Sequence, residues 1–138
     1  MRKHSQPIPA DNAFILLVDD DPISLLVMEK ILQNHYTVCS VTSAEEAIEI
    51  LNVRAPALVI LDVMMPELSG IDVCKMIKTT DRLSAVPVIF LSACDKPLDF
   101  EKGYEAGGVM YLAKPIRSPQ LLLMARLYAS RIFKKETA

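Results

Sequence analysis

The sequence predicts a single α/β domain: a doubly wound, five-stranded parallel sheet with helices on both faces. Three observations carry this. Short apolar runs alternate with longer amphipathic segments five times along 138 residues. Strand–helix alternation of this kind implies right-handed crossovers and a parallel sheet covered on both sides. The hydrophobic fraction of 51% and mean hydropathy of +0.28 fit strands that are apolar on both faces.

Residues 14–19 form the first apolar run. Asp21 then offers a helix-capping acceptor before Pro22, which suits a first helical position. The first helix is expected over about 22–34, with Leu25, Met28 and Leu32 on one face. The second strand, 36–41, is rich in β-branched and aromatic residues. Ser43-Ala44-Glu45-Glu46 is a capping box that opens the second helix, with Ala47, Ile48, Ile50 and Leu51 as its apolar side. The third strand is 57–63, and the stretch from Met65 to Gly70 is loop chemistry.

The third helix runs over about 70–80 with Val73, Met76 and Ile77 inward. Pro87 opens the fourth strand, Val88-Ile89-Phe90-Leu91, at a position where proline is tolerated. A short fourth helix, about 98–106, is ended by Gly107-Gly108. The fifth strand is 109–113. Ser118 is expected to cap the fifth helix, with Pro119 at its first position. That helix extends to about residue 134 and offers Leu121, Leu122, Met124, Ala125, Tyr128 and Ile132 for packing.

The length suits one domain, able to bury roughly 68–70% of its unfolded surface without staples. A formal charge of -2 and a pI of about 5.7 argue against direct nucleic-acid contact through a basic surface. Cys39, Cys74 and Cys94 are odd in number, far apart and in no metal spacing, so they read as reduced thiols of a cytoplasmic protein. No apolar run approaches the ~18 residues of a membrane span. Residues 1–13 read as a flexible tail without a secretory signal core, and 135–138 as a C-terminal tail.

The informative residues end the strands. Asp19 and Asp20 follow the first, Asp62 the third, Ser92 the fourth and Lys114 the fifth. Ligands of open α/β sheets sit beyond those carboxyl ends. Buried strands do not end in three acids and a lysine unless the charges meet something. The convergence of carboxylates and one ammonium is a site for a divalent cation and a phosphoryl group.

Here the chain resembles the receiver domains of two-component response regulators. The matching stretches are Leu17-Val18-Asp19-Asp20-Asp21, then Leu61-Asp62-Val63-Met64-Met65-Pro66-Glu67-Leu68-Ser69-Gly70. Phe90-Leu91-Ser92-Ala93 and Tyr111-Leu112-Ala113-Lys114-Pro115 complete the set. The resemblance covers about 14–134. It implies a flavodoxin-like strand order 2-1-3-4-5 and no enzyme activity beyond assistance to the domain's own phosphorylation and dephosphorylation. It implies that Asp62 accepts a phosphoryl group from a sensor histidine kinase or phosphotransfer protein. Mg²⁺ is the implied cofactor, held by Asp20, Asp62 and the backbone carbonyl of Met64, with Asp19 holding a metal-bound water or sharing the ligation. Lys114 pairs with Asp62 at rest and with a phosphoryl oxygen afterwards, and the Lys114–Pro115 bond is cis. Ser92 and Tyr111 form the switch: Ser92 moves toward Asp62, and Tyr111 turns into the vacated space. Asp21 is assigned to capping, not ligation. The kinase contact falls on the first helix, with Ile23, Leu26 and Val27, and on the loop around Pro115.

Two positions depart from the family's pattern. Val109 and Met110 stand where acids are common, which adds apolar surface near the fourth helix, fifth strand and fifth helix. That face is expected to make an apolar contact, including a homodimer; the alternative is that both side chains belong to the core. Met64 places an apolar group beside Asp62, which slows the water that hydrolyses an acyl phosphate. Rival classes fit less well. An aspartyl phosphatase needs a second acid two residues after the first, and that position is Met64. A flavin-binding relative needs a Ser/Thr/Gly-rich phosphate loop where this chain has Asp19-Asp20-Asp21-Pro22. A degenerate receiver, binding partners without phosphorylation, would lack polar residues that are all present. Two forms are expected equally: a stand-alone receiver that acts by docking, or one continued by an output domain.

Overall fold

The computed structural model describes residues 14–93 and 97–129. Its elements are β1 (Ile15–Val18), α1 (Pro22–Leu32), β2 (Val38–Val41), α2 (Ala44–Val53), β3 (Leu58–Asp62), α3 (Gly70–Lys78), β4 (Val88–Ser92), α4 (Pro97–Glu105), β5 (Met110–Ala113) and α5 (Ser118–Tyr128). A 3₁₀ turn, Asp81–Leu83, precedes β4. All pairings are parallel, and the order is β2-β1-β3-β4-β5, as the resemblance implies. The expected tails at 1–13 and 135–138, Cys94, and the stretch of α5 toward residue 134 with Ile132 lie outside the described residues.

Alternation along each strand feeds two cores. Leu16 and Val18 of β1, Val59 and Leu61 of β3, and Val88 and Phe90 of β4 face a cluster completed by α2 and α3. Ile15, Leu17, Leu58, Ile60, Ile89 and Leu91 face the other cluster, completed by α1 and α5. Val109 and Met110 are half buried and pack against this second cluster, which is the core alternative. Cys39 and Cys74 are buried. Burial pushes the Cys74 thiol up to about 11, so it stays protonated and unreactive.

Local signals place the element ends. Asp21 caps α1 by accepting from the Ile23 amide and the Ser24 hydroxyl, both at 3.0 Å. Those hydrogen bonds lower its carboxyl pKa. The Ser43 hydroxyl accepts from the Glu46 amide at 3.1 Å, while the Glu46 carboxylate accepts from the Thr42 amide at 3.0 Å. Helix α1 ends two residues before the expected position, in a turn where the His35 and Tyr36 N–H groups both donate to the Leu32 carbonyl at 2.9 Å, and β2 begins two residues later than expected. Helix α5 differs from expectation. Arg117 is its N-cap, without a side-chain bond, and Ser118 is already helical. The Leu121 N–H donates to the Arg117 carbonyl at 3.0 Å, and Pro119 fits the second position as well as the first, since neither amide has a helical partner.

Lys78 ties α3 to the segment before β4. Its Nζ donates to the carbonyls of Val86 at 2.6 Å and Ser84 at 3.2 Å, and its stem runs beneath Gly107. Burial lowers its pKa. Lys78→Met keeps the stem but strands the part-buried Val86 carbonyl, while water replaces the exposed bond to Ser84. The expected cost is about 2 kcal/mol, read as a lower urea midpoint; an unchanged midpoint would show the bonds to be worthless.

Candidate metal and phosphoacceptor site

Register explains why distant acids become neighbours. Val18 pairs with Leu61, so Asp19 and Asp62, one residue further on, stand side by side at the carboxyl ends of β1 and β3. This is also where the strand order turns from β2-β1 toward β3-β4-β5, the crevice that open α/β sheets leave for ligands. One carboxylate oxygen from each of Asp19, Asp20 and Asp62 lies within 4.8 Å of the others. Asp19 is fully buried and Asp20 is exposed, so the cluster opens to solvent on one side.

The carboxylate oxygens of Asp19 and Asp62 each have a defined neighbour. The Asp19 Oδ1 accepts from the Asp21 amide at 2.9 Å, and the Asp62 Oδ1 accepts from the Met64 amide at 3.1 Å. Lys114 Nζ lies 2.9 Å from Asp19 Oδ2 and 3.2 Å from Asp62 Oδ2. The expected pairing with Asp62 is present. The still closer pairing with Asp19 was not legible in the sequence. The Lys114–Pro115 peptide is cis.

Electrostatics follow from this packing. Burial, then the neighbouring Asp19 charge, pushes the Asp62 carboxyl up to about 6, against the pull of Lys114 and the Met64 amide. Burial alone would lower the Lys114 ammonium; the close contact with Asp19 and the charges of both acids outweigh it and hold the pKa above the usual lysine value. Two adjacent acids with one ammonium form an oxygen-rich pocket short of positive charge. That donor set fits a hard divalent cation, whose ligands are oxygens at about 2.1 Å.

Ser92 is buried at the end of β4, and its carbonyl accepts the Lys114 amide at 3.1 Å. Tyr111 lies on β5 opposite Phe90, half buried, and faces the α2–α3 core. Met64 is 66% exposed beside Asp62. Two glycines to which sequence reasoning gave no role at the site also shape this end of the sheet. Gly70, the first residue of α3, donates its N–H to the Val63 carbonyl at 3.0 Å, and a Cβ there would overlap the Asp62 carbonyl oxygen. Gly103 lies under the Tyr111 ring. The signal for Gly70 was its place at the end of the Asp62 loop motif; Gly103 had none.

The family model for the response regulator receiver domain matches residues 15–126. The chain belongs to that family. A probable cyclic di-GMP phosphodiesterase of Vibrio cholerae is 39% identical over 114 residues, covering 83% of this receiver chain and 25% of that protein. The transcriptional regulatory protein YvrH of Bacillus subtilis is 31% identical over 131 residues, covering 93% of this chain and 54% of that one. The crystal structure of a putative response regulator from Chloroflexus aurantiacus superposes with a TM-score of 0.81 at 28% identity, covering 88% of this chain and all of that one. The receiver chain thus spans between a quarter and about half the length of these two curated relatives. No helix among its described residues is long and apolar enough to cross a membrane.

Proposed function

We propose that this receiver domain takes a phosphoryl group onto Asp62 from a phosphohistidine of a sensor kinase or phosphotransfer protein in the cytoplasm. The observation that carries the reading is the meeting of Asp19, Asp20 and Asp62 oxygens within 4.8 Å, with Lys114 against two of them. Asp19, Asp20, Asp62 and the Met64 carbonyl are the residues that would hold Mg²⁺. Bound there, the cation neutralises charge on the acids and on the phosphoryl oxygens.

The residues divide the work. An Asp62 oxygen attacks phosphorus as the N–P bond of the donor breaks, and the leaving imidazole takes a proton. The Met64 amide orients the carboxylate through its 3.1 Å bond. Lys114 shifts its ion pair from the Asp62 carboxylate to a phosphoryl oxygen, while the Asp19 carboxylate continues to hold the ammonium. Ser92 donates its hydroxyl to a phosphoryl oxygen, and Tyr111 responds on β5. Catalysis here is positioning and charge neutralisation, and it serves the domain's own modification.

The docking face for the donor is the first turns of α1, beside the site. Ile23, Leu26 and Val27 are 71%, 52% and 38% exposed there, a stripe at helical spacing that suits another amphipathic helix. The output face is that of α4, β5 and α5, where Tyr104, Leu123 and Leu127 are exposed; a homodimer is one occupant of it. Acetyl phosphate with Mg²⁺, followed by intact mass, tests the central step: one added phosphoryl group supports it, and no added mass rejects it.

The exposed Met64 shields the acyl phosphate from water on its open side. The phosphoryl half-life is therefore expected in minutes or longer, and Met64→Asn is expected to shorten it by offering a polar group to the attacking water. A native half-life of seconds, or a lengthening in the variant, would contradict this.

A further inference from the structure

Tyr111 is packed by two elements at once. Its ring lies 5.3 Å from that of Phe90 on β4 and 5.8 Å, edge-on, from that of Tyr104 on α4. Gly103, buried on α4, faces the same ring. A Cβ at 103 would stand 2.5 Å from Tyr111 Cε2 and 2.7 Å from its hydroxyl oxygen. No real side chain tolerates such contacts, so a Cβ at 103 and the phenol ring cannot share this space.

The backbone gives no other reason for a glycine at 103. The helix ends on Gly107, with φ 109°, and its N–H donates to the Tyr104 carbonyl at 3.0 Å. The Gly108 N–H donates to the Gly103 carbonyl at 3.0 Å, which completes a Schellman closure. That closure uses a positive φ at Gly107 and only the carbonyl of Gly103. Inside a helix, alanine is the better former. The glycine is explained by the ring it admits.

We infer that Gly103 is a positioning residue: the missing Cβ makes the seat that holds Tyr111 inward, against Phe90 and the last turn of α4. This rests on the reading of Tyr111 as the switch residue and adds what the switch works against. The clash with an introduced methyl falls on the far end of a rotatable side chain, so the ring swings out rather than the sheet giving way. Gly103→Ala thus turns Tyr111 toward solvent.

Urea unfolding of four proteins decides it: native, Gly103→Ala, Tyr111→Ala and the double variant. Helix propensity alone raises the midpoint on Gly103→Ala in both backgrounds. A seat for Tyr111 lowers it in the native background and raises it in the Tyr111→Ala background, with a coupling of roughly fivefold in the folding equilibrium. Hydrogen exchange over residues 97–113, with and without Mg²⁺ and beryllofluoride, reads the switch. Gly103→Ala is expected to accept phosphoryl from acetyl phosphate yet lose the exchange change that the native protein shows. A raised midpoint in both backgrounds overturns the inference, as does an unaltered exchange response in the variant. Failure of the native protein to take up phosphoryl counts against the phosphoacceptor reading alone, and the unfolding comparison still decides the seat.

Discussion

Asp62→Asn is expected to take up no phosphoryl group under conditions in which the native protein takes up one. The amide keeps the size of the carboxylate and can still accept from Met64, but it offers no anionic oxygen to attack phosphorus. A second effect runs the other way. The Asp62 carboxyl is raised to about 6, from an ordinary value near ~3.9. Between those values the folded state holds a proton that the unfolded state has released. The group's contribution to stability therefore falls as pH rises through that window and is fully lost above about 6. In metal-free buffer at pH ~7 the asparagine variant is expected to be more stable than the native protein, by about 1 kcal/mol after discounting for solvent on the open side. The difference should vanish below pH ~4. Mg²⁺ should stabilise the native protein and reverse the order, because ligation stabilises only the state that binds it.

Gly70→Ala is expected to have the largest effect on the fold, a cost of about 3 kcal/mol, typical of overpacking that only the backbone can relieve. The added methyl meets the carbonyl oxygen of Asp62, not a side chain that could rotate away. The peptide after Asp62 must move, and with it the Met64 amide that orients the carboxylate and the carbonyl proposed as a metal ligand. Phosphoryl uptake should fall even in the fraction that remains folded, and higher Mg²⁺ should recover part of it. A variant as stable and as active as the native protein would show that the loop has slack absent from its tightly bonded turn, where Gly70 donates to Val63 at 3.0 Å.

The contrast between these residues indicates what a sequence holds. Asp19, Asp20, Asp62, Ser92 and Lys114 were legible because each ends an apolar run, and alternation of strand and helix put those ends on one edge. The cores were legible through periodicity, as with Leu25, Met28 and Leu32 on α1. The Asp19–Lys114 ion pair was not, because it depends on register and on the path of the chain after β5. Gly70 and Gly103 were not, because a glycine is explained by what its absent methyl would touch. The start of α5 was misplaced by one residue because Pro119 suits two positions equally. Val109 and Met110 were ambiguous because an edge strand has one face on the core and one near solvent; the chain turns both toward the α1–α5 layer.

The most direct measurement maps the phosphoryl group on the native protein. After acetyl phosphate and Mg²⁺, borohydride reduction and peptide mass spectrometry report which side chain carried it. The expected result is a single labelled position, Asp62, abolished when Mg²⁺ is chelated. Label on any other residue, or equal label without the metal, would contradict a phosphoryl site built from the acids at the ends of β1 and β3.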